Sequence, residues 1–113
     1  MTAAVTILKP QTAAQAAFPV GGLNTNEADS LILIASGTAL GATEFFNIFV
    51  LDSAGNAQPL NNTPLGVAPM QLGNGVQTIF LPGGALYSFT KTASASAAGL
   101  DYMIKPRIGF SGS

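Results

Sequence analysis

Apolar residues are gathered along this chain in short, strand-sized runs separated by glycine, proline and small polar residues. Residues 31–35 (LILIA) form a continuous apolar run that ends at Ser36 and Gly37, which is typical of a strand buried on both faces. Residues 43–51 (TEFFNIFVL) carry large apolar side chains on both alternating faces. One small core needs only one of these faces, so we predict a second partner surface for the other.

Three later segments also have the pattern of strands. Residues 76–81 (VQTIFL) and 85–91 (ALYSFTK) lie on either side of the turn-forming residues 82–84 (PGG). Residues 100–108 (LDYMIKPRI) alternate between two faces along their length. Because Pro106 has no backbone N–H to donate to a sheet, we expect this last strand at a sheet edge or with a bulge.

Turn residues divide the chain at intervals close to the roughly 8–12 residues that are typical of β-sandwiches and barrels. Residues 52–56 (DSAGN) have the composition of a hairpin turn, after which residues 57–60 return as a short strand. Residues 61–75 contain two prolines and three glycines, which indicates a long connection. For residues 23–113 we predict an all-β fold, a single β-sandwich or jelly-roll-like barrel of roughly six to eight short antiparallel strands.

The first 22 residues differ from the rest of the chain. Residues 3–9 form a short extended segment before a proline, and residues 11–17 (QTAAQAA) have the composition of a short helix. Phe18-Pro19 and the glycines that follow break such a helix, because a residue before proline avoids the helical region. We predict that residues 1–22 are an N-terminal arm or linker, ordered when it lies on another surface. The alternative is that residues 3–8 are the first strand of the fold.

Composition excludes most kinds of chemistry. The chain has four basic and five acidic residues, 8% in all, where a typical globular protein has about 25%. It contains no cysteine and no histidine, so it lacks a thiolate nucleophile, the usual general base and the commonest metal ligand. A net charge of −1 offers no electrostatic footprint for nucleic acid. We therefore expect no enzyme activity, no cofactor and no nucleic-acid partner.

A membrane partner is not expected either. No apolar run approaches the roughly 20 residues that a spanning helix needs. The N-terminal apolar segment is short and its basic residue, Lys9, follows it, which is not the pattern of a secretory signal.

The few charged residues do not form a chemical site by their spacing. Glu27 and Asp29 are a close acidic pair, and residues 52–56 resemble part of a calcium loop, but neither has the number and spacing of oxygen ligands that calcium needs. Lys105 and Arg107 are two cations, too few for a basic patch. The glycine-rich segments lack the lysine and hydroxyl residue of a phosphate loop. We predict no catalytic, cofactor-binding or metal-binding residues.

The shortage of charge does make a prediction about the surface. Small soluble domains usually carry about 25–35% charged residues on their surface, which this chain cannot supply. Either neutral polar residues cover the outside or other protein chains do, and we favour assembly because few charges guard the strand edges against pairing. The residues we expect at the assembly interface are Val5, Ile7, Leu8, Phe18, Val20, Phe45 and Phe49.

The layout of the chain from about residue 30 to residue 108 resembles a known family. The segments that carry the resemblance are residues 35–43 (ASGTALGAT) leading into the apolar strand, the Asp52 hairpin, residues 76–81, the Pro82-Gly83-Gly84 turn, residues 85–89 (ALYSF) and a Ser/Ala-rich last hairpin. In this order they resemble the small β-sandwich accessory proteins of tailed bacteriophage virions, which include capsid decoration (cement) proteins and tail or neck proteins. The charge poverty of this chain departs from the family pattern.

The resemblance implies a structural role. A capsid decoration protein of this kind acts as a trimer or another symmetric homo-oligomer on the major capsid protein, in a virion assembled in the host cytoplasm. One alternative is a tail or neck structural protein. Another is a β-sandwich module that binds carbohydrate or a host surface, for which Tyr87 and Tyr102 are the only amphipathic aromatic residues.

Overall fold

Short β-strands and turns account for the architecture of the computed structural model, which describes residues 4–60, 70–95 and 97–106. Two predictions fall wholly or partly outside these ranges. Of the predicted connection over residues 61–75, only residues 70–75 are described, and the predicted end of the last strand, with Arg107, lies beyond residue 106. Within the described residues the strands are β1 (Val5–Gln11), β2 (Gln15–Asn24), β3 (Ala28–Gly37), β4 (Phe46–Leu51), β5 (Ala57–Pro59), β6 (Gln71–Leu72), β7 (Thr78–Pro82), β8 (Leu86–Lys91) and β9 (Ala98–Pro106).

The strands form two antiparallel sheets that pack face to face. The first sheet has the strand order β1-β9-β3-β7, and the second has the order β2-β8-β4-β5, with β6 also paired to β4. The prediction of an all-β sandwich is confirmed. The largest side chains of the buried core are Phe18, Leu31, Leu33, Leu40, Phe46, Ile48, Leu72, Leu81, Tyr87, Phe89 and Leu100.

Alternation along β3 decides which side of the first sheet faces the core. Leu31, Leu33 and Ala35 are buried between the sheets, whereas Ile32 and Ile34 point to the other side and are only partly buried. The prediction that this run is buried on both faces is therefore wrong for the chain alone. The reason is that no described element forms a third layer over the first sheet.

The described part of the first 22 residues belongs to the sandwich. β1 pairs with β9 and β2 pairs with β8, so each forms an edge of one sheet. This arrangement corrects the prediction of a separate N-terminal arm or linker over residues 1–22 and agrees with the alternative in which the first segment is a strand. The short helix expected over residues 11–17 is replaced by the ends of two strands.

Register shifts interrupt both of these strands. In β1 the register with β9 shifts between Thr6 and Leu8 and again between Leu8 and Gln11. In β2 the register with β8 shifts on both sides of Phe18. Residues that bulge from a ladder break the two-residue periodicity that marks a strand, and this is why the sequence pattern indicated an arm.

The position of Pro106 agrees with one of the two arrangements expected for it. β9 lies between β1 and β3, so it is not an edge strand. Pro106 is its last residue and lies opposite Ala28, and the register with β3 shifts between Ala28 and Ser30. A bulge at this end allows a strand that lacks one N–H to lie inside the sheet.

Candidate functional site

A row of apolar side chains crosses the outer side of the first sheet. Ile32 in β3 lies opposite Phe80 in β7 and Met103 in β9, and residues opposite each other in antiparallel strands share a face. Phe80 is 71% exposed, whereas Ile32, Met103 and the next residue on this face, Ile34, are partly buried. We call Ile32, Ile34, Phe80 and Met103 the apolar outer face.

A groove of about 210 Å³ runs along this face, with Ser30, Ile32, Phe80, Met103 and Lys105 among its lining residues. Its walls are almost entirely apolar, because aliphatic and aromatic side chains from three neighbouring strands converge on it. A shallow apolar groove without convergent polar groups suits a protein surface better than a polar small molecule.

Charged groups stand at the two ends of the apolar outer face. Lys105 and Asp29 form an exposed ion pair of 3.7 Å at one end. Asp101 lies opposite Ile34 and near the other end. Exposed pairs of this kind contribute little to stability, and they leave the centre of the face uncharged.

Phe18 was predicted at the assembly interface, and the structure places it in the core. It is 8% exposed, and its ring lies against Phe46 (centroids 6.4 Å apart) and Phe89 (6.0 Å apart). β2 turns this ring inward because Phe18 lies opposite Phe89, which faces the other sheet. The prediction for Phe18 is therefore wrong for the folded chain.

The other N-terminal residues predicted at the interface are divided between the two sheets. Val5 in β1 is 48% exposed, while Ile7 and Leu8 pack partly against the core. Val20 lies in the bulged part of β2 and is fully exposed. These residues do not form one surface with the apolar outer face, because β1 and β7 are opposite edges of the first sheet and β2 belongs to the second.

Phe45 and Phe49 lie at the second sheet and are half-buried. A Cβ atom on Gly73 would stand 2.9 Å from the Phe45 ring, so Phe45 already packs against this chain. Phe49 lies opposite Ser88 in β8 and Pro59 in β5, on the outer side of the second sheet. The structure therefore does not bring the predicted interface residues together, and the four residues of the apolar outer face are not among those predicted.

The Asp52 carboxylate stabilises a turn of its own chain. The Asp52 carboxylate accepts hydrogen bonds from the backbone N–H groups of Asn56 and Ala54 and from the Gln58 amide, and these bonds lower its pKa. This is the geometry of the hairpin turn between β4 and β5 rather than of a calcium loop. Over residues 4–60, 70–95 and 97–106 no cluster of three acidic or metal-ligating side chains is present.

The two tyrosines do not form an exposed aromatic platform. Tyr87 is buried, and its hydroxyl donates a hydrogen bond of 2.7 Å to the carbonyl of Pro82. Burial raises the pKa of the Tyr87 phenol. Tyr102 packs partly against the core. A carbohydrate site that stacks sugars on these rings is not supported by their positions.

Lys91 is a buried cation that the sequence pattern did not single out. It is 3% exposed, and its Nζ atom donates to the carbonyl of Thr92 at 3.0 Å and to the Ser94 hydroxyl at 3.2 Å. The same atom lies 6.0 Å from the centre of the Phe46 ring. Lys91 lies opposite Phe46 and Gln15 where β8 ends, so these contacts hold one end of the sandwich.

No helix in the part of the chain that the structure describes has the length and apolar character needed to cross a membrane. Comparison of the chain with family models, with curated proteins and with solved structures gives no match. A functional assignment therefore depends on the chain's own residues.

Proposed function

We propose that this chain is a structural protein of a virion, of the capsid-decoration kind, that stabilises a shell by apolar contacts with copies of itself and with the major capsid protein. The observation that carries the proposal is the apolar outer face. Ile32, Phe80 and Met103 are adjacent on three strands and line one groove, and Phe80, on the edge strand β7, is largely exposed. An assembly site of this chemistry accounts for a chain that has very few charges.

The driving force of such an assembly is removal of apolar area from water. Each square ångström contributes about 25 cal/mol before the costs of association are subtracted. Full burial of one large side chain such as Phe80 contributes about 1.5–3 kcal/mol on this scale. Since no charged side chain lies in the row itself, binding is expected to depend weakly on salt.

The test is binding to virus particles that have been stripped of their accessory proteins. We expect the wild-type chain to bind these particles, with an affinity that changes less than about threefold between roughly 0.1 and 0.5 M NaCl. Phe80→Ser should weaken binding at least about tenfold, since it removes most of the area of the exposed ring. Co-sedimentation with the particles measures both quantities.

Val20→Ser is the matched control. It also replaces an exposed apolar side chain by serine, but on the second sheet, away from the apolar outer face. It should bind as the wild type does. A wild-type chain that stays monomeric and ignores the particles, or a Phe80→Ser variant that binds normally, would contradict the proposal. Labelling of bound chains in electron micrographs distinguishes a capsid location from the tail or neck of the particle.

A further inference from the structure

The free edge of the first sheet is formed by β7, and the hydrogen bonding of β3 fixes which backbone groups this edge presents. The N–H of Ala35 donates to the carbonyl of Gln77 at 2.7 Å, so these two residues form a hydrogen-bonded pair. In antiparallel strands such pairs alternate with pairs whose backbone groups point apart. Thr78 and Phe80, which lie opposite Ile34 and Ile32, are of the second kind. Their N–H and C=O groups therefore point away from β3.

Nothing described pairs with this side of β7. The strand is the last in the order of the first sheet, and none of its five residues is ionisable. An identical strand that approaches this edge therefore meets no like charge, whereas charged residues are the usual protection of an edge. Pro82 ends the strand and has no N–H, so the pairing positions are limited to Thr78 and Phe80.

The edge is complementary to itself in one register. If two copies of β7 run antiparallel with Ile79 opposite Ile79, then Thr78 of each copy lies opposite Phe80 of the other. Every free N–H and C=O of these residues is then paired. A register centred on Phe80 instead puts Thr78 opposite Pro82, which leaves the Thr78 carbonyl without a donor.

We infer that a second copy of this chain pairs with β7 across a two-fold axis at Ile79. The two four-stranded first sheets become one continuous sheet, and the apolar outer faces of both copies become one surface. Ile79, which is half-buried at the edge, gains a close apolar neighbour on the inner side. This inference rests on the proposed function, since it specifies how copies join, but it concerns the chain in solution without any particle.

A cysteine scan tests the register, because the chain has no cysteine of its own. Residues opposite each other in a pair that is not hydrogen-bonded have Cα atoms about 4.5 Å apart, within the range of a disulfide. Ile79→Cys should therefore give a disulfide-linked dimer on mild oxidation. Thr78→Cys and Phe80→Cys, whose sites are more exposed, should cross-link at least about tenfold more slowly, because their partners lie on a diagonal about 7–8 Å away. Faster cross-linking at Thr78 or Phe80 than at Ile79 would overturn the inference.

A proline variant tests the edge without relying on cross-links. Thr78→Pro removes an N–H that β3 does not use, so the folded monomer should persist, as circular dichroism and thermal unfolding would show. Thr78→Ala keeps the N–H and is the matched control. In sedimentation equilibrium, Thr78→Pro should dimerise at least about tenfold more weakly than Thr78→Ala, since two hydrogen bonds across the axis are lost.

The outcomes separate this inference from the proposed function. A monomeric wild type, or equal dimerisation of the proline and alanine variants, would overturn the pairing of β7 even if the chain binds particles. A dimer with the expected register that ignores particles would support the pairing and contradict the role in a virion.

Discussion

The outer sides of the two sheets each carry a row of three side chains on three adjacent strands, and the rows are opposite in character. In the second sheet the row is Gln71, Asn47 and Thr90. The Asn47 side chain accepts a hydrogen bond of 2.6 Å from Gln71 and donates one of 3.0 Å to Thr90. The row in the first sheet is Phe80, Ile32 and Met103, which form no hydrogen bonds through their side chains.

The two rows show that the outer side of a sheet can lack charge and still be either polar or apolar. Amide and hydroxyl groups that bond to one another make a neutral polar surface without any charged residue. Part of the outer side of the second sheet is also covered by its own edge strand, because a Cβ atom on Gly22, in the bulged part of β2, would stand 2.9 Å from the Leu51 side chain. Among the residues that the structure describes, the outer side of the first sheet has neither a hydrogen-bonded polar row nor a covering segment at the apolar outer face. A sheet surface can thus be poor in charge in two ways, and of the two rows only the apolar one leaves hydrophobic side chains in contact with water.

Replacing the apolar row by a polar row should have the largest effect on particle binding. The triple variant Ile32→Asn, Phe80→Gln, Met103→Thr gives the first sheet the kind of row that the second sheet has. We expect it to lose particle binding by at least about a hundredfold, because three apolar side chains no longer leave water. Circular dichroism and urea unfolding should show a folded sandwich, since these side chains point away from the core. Undiminished binding would remove the distinction between the two rows.

Asn47→Ala tests the polar row and should act on stability alone. The substitution removes the partner of Gln71 and Thr90, so the free energy of unfolding should fall by about 1–2 kcal/mol. Urea unfolding measures this loss. Particle binding should stay within about twofold of the wild type, and a larger loss of binding would mean that the second sheet also faces a partner.

Sequence reasoning succeeded where a strand is a dense run of apolar residues and failed where bulges interrupt the strand. Leu31 and Leu33 mark β3 plainly, and Phe46 and Ile48 mark β4. β1 and β2 were hidden because their bulges shift the alternation by one residue or more.

The candidate site was less predictable than the fold. A run that is apolar on both faces does not say which face the second sheet covers. Phe80 lies alone among polar and aliphatic neighbours in the sequence, and only the pairing of β7 with β3 places it beside Ile32. Conversely, Phe18 belongs to a segment that resembles an arm, and its role in the core follows from its pairing with β8.

Tyr87→Phe tests a contact between the sheets, under the end of the apolar row. Loss of the buried hydrogen bond to Pro82 should lower the free energy of unfolding by about 1 kcal/mol at neutral pH. Because burial raises the folded-state pKa of Tyr87 above its ordinary 10.0, its contribution is complete below about pH 10 and is lost as the pH rises through the raised value. The melting temperature of the wild type should therefore fall more steeply with rising pH in the alkaline range than the melting temperature of Tyr87→Phe does. Equal slopes would contradict this.

Asp52→Asn should have the smallest effect, because the hairpin lies outside both rows. Hydrogen bonds lower the folded-state pKa of Asp52 below its ordinary 3.8, so its contribution to stability is present above that value and is lost as the pH falls through the lowered pKa. The variant should show a slightly weaker decline of the melting temperature in acid. Its particle binding should equal that of the wild type, and any change would mean that this turn contacts the particle.

The bulges of β1 have a consequence for the fate of the sheet at high concentration. An unprotected sheet edge is a template for further strands and, in the extreme, for fibrils. In this molecule the two edges of the first sheet are unequal. β7 is short and ends in a proline, whereas β1 contains Lys9 and Pro10 and twice loses register with its neighbour. Two copies of the first sheet can pair through their regular β7 edges. The irregular β1 edges then lie on the outside of the joined sheet, where they offer no regular ladder for a third copy to pair with.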